Sequence, residues 1–154
     1  MKYLAILVFS VVAIAHKNSL FAQNSTADIT RQLIENKKFS FVATSVSPLR
    51  GNTKYLSEIY DVKVDGNTLV SSLPYFGVAQ SPAGATEGGI KFTSTNFDYS
   101  FEKGKKNNWD IQIIFRDQTG TRQFHFLVFD NGNATLDVTS SFRDPVSFSG
   151  YLKK

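Results

Sequence analysis

"NNWDIQIIFRDQTGTRQFHFLVFDNGNATLDVTS", Asn107 to Ser140, carries three runs of alternating side chains separated by two turns. In the first run Trp109, Ile111, Ile113 and Phe115 fall opposite Asp110, Gln112 and Arg116. In the second, Phe124, Phe126 and Val128 share a face, while His125, Leu127 and Phe129 make the other face partly apolar. In the third, Ala134, Leu136 and Val138 alternate with polar residues. A period of two is that of a strand with one face in a core. The breaks at Asp117–Thr121 and Asn131-Gly132 are hairpin signals, because Asn-Gly supplies the positive φ that tight hairpin turns require. Three strands joined by two short turns form an antiparallel meander.

The pattern extends in both directions. Upstream, "NFDYSFEKG" sets Phe97, Tyr99 and Phe101 against Asp98, Ser100 and Glu102, and Gly104–Asn108 reads as a turn. Downstream, "PVSFSGYL" points Val146, Phe148 and Leu152 inward. Earlier strands fall near Lys38–Val46, Tyr55–Val64 and Thr68–Phe76, with Asp65-Gly66 between the last two. The expectation is a mainly β fold, a meander of about eight or nine strands curled into a barrel or half-barrel. No helix-length segment interrupts it, which excludes parallel α/β folds. One short N-terminal helix precedes it in "NSTADITRQLIENKK". Ser25 or Thr26 caps that helix, Asp28 favours its positive end, and Ile29, Leu33 and Ile34 form its apolar stripe.

The chain begins like an exported protein. Met1-Lys2 precedes the apolar run Leu4–Ala15, which is too short to span a bilayer. Cleavage after Ala15 and cleavage after Ala22 both fit, the second being favoured. The expected organisation is a signal peptide over residues 1–22 and a single domain over residues 23–154. Loss of Lys2 and Lys17 takes lysines and arginines from 17 to 15 against 13 acidic residues, leaving a net charge of +2. So modest a charge gives no footprint for nucleic acid. The chain has no cysteine, which excludes disulfides, thiolate catalysis, Cys-based zinc sites and a lipid-anchored N-terminus. The expected location is periplasmic or secreted, with no stable membrane anchor after cleavage.

Catalytic chemistry has little to stand on. The expected mature chain has one histidine, His125, in a strand, and no serine in a Gly-x-Ser-x-Gly elbow. No His, Asp and Glu cluster has metal-ligand spacing, and "DNGNATLD", Asp130–Asp137, reads as a hairpin turn rather than a calcium loop. Neither an enzyme nor a cofactor is expected. Lys103, Lys105 and Lys106 read as a solvated hairpin tip. The anomaly is aromatic content, with 14 Phe, 6 Tyr and Trp109. A solid aromatic core accounts for it, and so does a cavity lined by rings.

Within "SSLPYFGVAQSPAGATEGGIKF", Ser71–Phe92, Pro74 cannot donate a ladder bond and Gly77 permits a close contact. Tyr75 and Phe76 point to opposite faces if the chain is extended. Together with "FSFVATSVSPLRG" (Phe39–Gly51), "EGGIKFTSTNFDY" (Glu87–Tyr99) and "VTSSFRDPVSFSGYL" (Val138–Leu152), this block resembles the domain of unknown function 4251 family of small exported Bacteroidetes proteins. The family pattern places an Arg after the Gly of this block and a Tyr two positions later, where this chain has Val78 and Gln80. The resemblance implies fold and export and carries no activity. Two functions follow as expectations. One is a periplasmic binding module for a small apolar or amphiphilic ligand, with Tyr75, Phe76, Gly77 and Trp109 near the barrel mouth and Val78–Gly88 as a flap. The other is an envelope protein–protein interaction module with a solid core and an exposed aromatic face or sheet edge.

Overall fold

A computed structural model of the chain describes residues 25–82 and 88–153. The expected signal peptide and both cleavage positions lie outside the described residues, as do residues 83–87 of the expected flap.

Helix α1 spans Thr26–Glu35. Ser25 is its cap: the Ser25 hydroxyl accepts from the Asp28 amide at 3.2 Å and donates to the Asp28 carboxylate at 2.8 Å. Thr30 and Ile34, one turn apart, are buried against the barrel, with Leu33 packed beside them. The chain leaves the helix through Lys37 at φ 51°, and Gly66 donates its amide to the Lys37 carbonyl.

Nine strands follow: β1 Lys38–Pro48, β2 Lys54–Asp65, β3 Thr68–Leu73, β4 Ile90–Ser94, β5 Phe97–Lys103, β6 Asn108–Phe115, β7 Thr121–Phe129, β8 Asn133–Ser140 and β9 Val146–Lys153. They form one antiparallel sheet in the order β4-β3-β2-β1-β9-β8-β7-β6-β5, which curls into a nearly closed barrel. The last strand therefore returns to the first, and β1 and β9 pair from Ser40↔Lys153 to Pro48↔Val146. Gly150 makes that junction possible, because a Cβ there would lie 1.9 Å from the Val42 carbonyl oxygen.

The inward positions are those the alternation marks. Trp109, Ile111, Ile113, Phe115, Phe124, Phe126, Val128, Leu136, Val138, Val146, Phe148 and Leu152 are all buried. Phe41, Phe124, Phe126 and Phe148 are among the largest fully buried side chains. Rings meet edge to face through the interior: Phe41–Phe126 at 5.6 Å, Phe124–Phe126 at 6.2 Å and Phe115–Phe124 at 5.0 Å. Such contacts add about 0.5–1.5 kcal/mol each beyond area burial. Four hollows lined by described residues are at least partly open to solvent.

The largest irregularity is in β2. Ala43 pairs with Tyr60, but Ser45 pairs with Tyr55, so β2 bulges by several residues against a short step of β1. Strand β3 covers only Asp61–Asp65 of β2. Residues Lys54–Tyr60 thus have no β3 partner.

Candidate functional site

The Leu73–Gln80 block turns back over one barrel end. The ladder of β3 stops at Leu73, as Pro74 requires. Tyr75 then folds beneath the connection between β8 and β9. Its hydroxyl lies 3.1 Å from the Asp144 carbonyl oxygen and 3.0 Å from that of Val78. The Arg143 guanidinium stacks 4.6 Å from the Tyr75 ring centre and donates to the Gly89 carbonyl at 2.8 Å. Gln80 donates its side-chain amide to Asp144 at 2.6 Å, and its backbone amide to Phe142 at 2.7 Å. Asp144 donates its amide to Val78 at 3.1 Å.

Gly77 follows from this geometry. A Cβ at that position would sit 2.3 Å from the Tyr75 hydroxyl. Burial, and then the Asp144 charge, push the Tyr75 phenol above its ordinary pKa, with Arg143 opposing. Arg143 and Asp144 are each 3 % exposed, and Arg50 approaches Asp144 from the solvent side at 3.6 Å. The block is therefore a staple between the end of β3 and the β8–β9 connection. The sequence reading does not include Arg143 and Asp144 in this site. The signal for them was a charge pair in "FRDP" between two apolar strands, where a solvated turn would be the simple reading.

Phe76, the neighbour of Tyr75, points outward as alternation requires. It is 39 % exposed, with the Lys54 ammonium 4.6 Å from its ring centre. Leu49, Tyr55, Ile59 and Val78 are exposed as well, at 63, 89, 83 and 51 %. Tyr55 and Ile59 lie on the same stretch of β2 as Lys54, which reaches Phe76. Val78 bonds Asp144, and Asp144 in turn meets Arg50 beside Leu49. Five of the exposed large apolar side chains thus lie on the β1–β2 hairpin and the staple.

Trp109 does not join them. It opens β6 opposite Lys103 and Val128, and Val128 is level with Ala134 at the start of β8. Arg143 and Asp144 follow the far end of β8. Tyr75 and Trp109, expected together near one mouth, lie toward opposite ends of the barrel. Trp109 is buried, 6.0 Å from Phe101 and covered by the Lys103 ammonium at 4.7 Å.

His125 is on the outer face. Its Nε2 meets Asp110 at 2.9 Å and its Nδ1 meets Asp137 at 3.7 Å. The nearby Ser147 hydroxyl donates to Asp137 rather than to the imidazole, so it is not placed as a nucleophile activated by His125. Among the described residues no group of His, Asp and Glu is arranged to hold a metal ion. Lys103 is held by Asp130 at 2.5 Å, which ties one end of the expected lysine cluster to the β7–β8 turn. No helix among the described residues is long and apolar enough to cross a membrane.

Comparison with known proteins places these features in a family. The family model for a domain of unknown function, DUF4251, matches residues 22–152. A crystal structure of a DUF4251 family protein from Bacteroides eggerthii DSM 20697 is similar to this chain at a TM-score of 0.65 and 20 % identity. The similarity covers 84 % of this chain and 87 % of that one, and at that identity it is a likeness of fold. No curated protein matches the chain.

Proposed function

The chain belongs to the DUF4251 family, and from that premise we propose that it is an exported, non-catalytic module that docks a protein partner in the cell envelope. The observation that carries this reading is the contrast between a core of buried rings and aliphatic side chains and the large apolar side chains left exposed on the β1–β2 hairpin and the staple. Rings occupy the barrel, whereas Tyr55, Ile59, Leu49, Phe76 and Val78 face solvent. Covering Tyr55 and Ile59 would contribute about 1.5–3 kcal/mol per side chain. A stable complex needs roughly 800 Å² per partner, so the interface would extend across the β1–β2 hairpin and the staple. Arg50 and Lys54 flank the patch, which favours a partner with an apolar centre and acidic groups at its rim. Export is read from the apolar run Leu4–Ala15.

An interior ligand is the weaker reading. Its four expected contacts do not converge: Tyr75 and Gly77 are committed to the staple, Phe76 faces outward, and Trp109 is packed toward the other end.

Photo-crosslinking in the native envelope tests the proposal. A photoreactive residue at position 55 or 59 is expected to capture one discrete protein, while the same residue at Arg122 captures none. The pair Tyr55→Ser and Ile59→Ser is expected to abolish the adduct formed from position 76 without lowering the melting temperature. Absence of any discrete adduct from positions 55, 59 and 76 in folded, exported protein would refute the docking role.

A further inference from the structure

At the helix end of the barrel, away from the docking surface, a second feature points to a ligand of different chemistry. Helix α1 commits Thr30 and Ile34 to the barrel. Its flank at Ile29 and Leu33, again one turn apart, is only half-buried. That flank lines two adjoining hollows, about 180 and 320 Å³, which share Leu33 and Lys38. The larger continues onto the start of β1 and the end of β2, where Phe39 and Val64 form its floor. The result is a groove that is apolar along the helix and cationic at its strand end.

The cationic end is set by register. Ser40 pairs with Lys63 on one side and with Lys153 on the other, so the two lysines flank it on the outer face. Cross-strand neighbours are about 5 Å apart at Cβ, which brings both ammonium groups within reach of one anion. Lys38 completes the set. The carboxylates nearby hold these lysines loosely. Lys38 meets Asp65 at 3.9 Å and Lys63 meets Asp61 at 3.6 Å, with both lysines well exposed, and such pairs are weak. Among the described residues Lys153 has no carboxylate within ion-pair distance.

We propose that this groove binds a free fatty acid, with the acyl chain along Ile29 and Leu33, over the buried edges of Phe39 and Val64, and the carboxylate between Lys38, Lys63 and Lys153. The hollow is shallow and widely open to solvent, between the helix and the strands. A single chain can enter it, whereas a helix that rests on a bilayer presents its apolar residues as a convex face. The proposal is independent of the protein-docking surface.

The test is calorimetric titration of the full exported chain with monomeric dodecanoate, below its micelle concentration, with dodecanol as the neutral control. Saturable one-to-one binding is expected, weaker for dodecanol and weaker in high salt. Lys63→Gln combined with Lys153→Gln should weaken dodecanoate by about tenfold and leave dodecanol unchanged. Ile29→Asp, on the half-buried flank outside the core cluster, should weaken both; Leu33→Asp provides the same test nearer the floor. Melting curves confirm that each variant is folded. Three results overturn the proposal: no saturable binding of dodecanoate, equal affinity for dodecanol and dodecanoate, or binding to anionic vesicles without binding to monomeric dodecanoate.

Discussion

The barrel closes on itself in two places, and by different means. Strands β1 and β9, from opposite ends of the described chain, close through a continuous backbone ladder. Strands β4 and β5, adjacent in sequence, have no ladder between them. Only Thr95 and Asn96 separate them, a length that would ordinarily make a hairpin. The amides of that link go instead to Asp117, whose carboxylate accepts from Thr95 at 3.0 Å, Asn96 at 3.2 Å and the Ser94 hydroxyl at 2.6 Å. The Arg116 amide returns a bond to the Asn96 carbonyl at 2.9 Å. Along the seam Phe92 of β4 reaches Phe115 of β6 at 5.1 Å, and Phe97 of β5 meets the same ring at 6.3 Å. Beside the helix, Tyr99 donates to the Ile34 carbonyl at 3.0 Å. The high aromatic content thus has a structural use: rings fill the core and bridge the one junction that lacks a ladder.

The difference predicts how each closure breaks. Phe124 touches Phe92, Phe115 and Phe126 and is fully buried. Phe124→Ala should cost about 3–5 kcal/mol in chemical denaturation, the largest effect expected. At the laddered junction Gly150→Ala drives a methyl into the Val42 carbonyl and should cost about 2–3 kcal/mol. A Gly150→Ala protein as stable as the wild type would mean that the β1–β9 approach is looser than described.

Smaller changes sharpen the account of the seam. Tyr99→Phe removes the bond to the helix and should cost about 1 kcal/mol at neutral pH. Burial pushes the Tyr99 phenol far above its ordinary pKa. The folded state therefore holds this proton more tightly, and its contribution is fully present below about pH 10, the unfolded value. It declines as pH rises further, so Tyr99→Phe should flatten the alkaline limb of stability. Asp117 has the opposite sign. The Ser94 hydroxyl, then the Thr95 amide, hold its carboxyl below the usual range. Its contribution is present above about pH 3.9 and is lost as pH falls through the lower folded value. Asp117→Asn should lower the melting temperature at neutral pH, and the gap should close in acid, where the wild-type carboxyl is also protonated.

Much of this fold is legible in the sequence because its physics is local. The inward faces of β6 to β9 follow from alternation, and Ser25 caps α1 as its position before "TADI" suggests. The closure is not legible in the same way. Nothing local to Ser40–Pro48 announces a partner over a hundred residues away, and Asp117 reads as a solvated turn residue until its acceptors meet the Ser94–Asn96 link. The same limit hid the staple. Pro74, Gly77 and the opposite facing of Tyr75 and Phe76 could be read directly, but Arg143 and Asp144 reach Tyr75 only through the folded chain. The sequence pattern does not separate Trp109 from Tyr75, whereas register sets it level with Val128 and Ala134.

Native-state amide hydrogen exchange, resolved by residue, tests the central claim most directly: that β4 and β5 are held by side chains and β1 and β9 by backbone. Amides shared between β1 and β9 should exchange only through global unfolding. The amides of β4 and β5 that do not donate to β3 or β6 should exchange through local opening, orders of magnitude faster, and faster still in Phe92→Ala. Protection of those seam amides equal to that of the β1–β9 ladder would contradict the account, since it would require a backbone ladder where side chains are held to close the barrel.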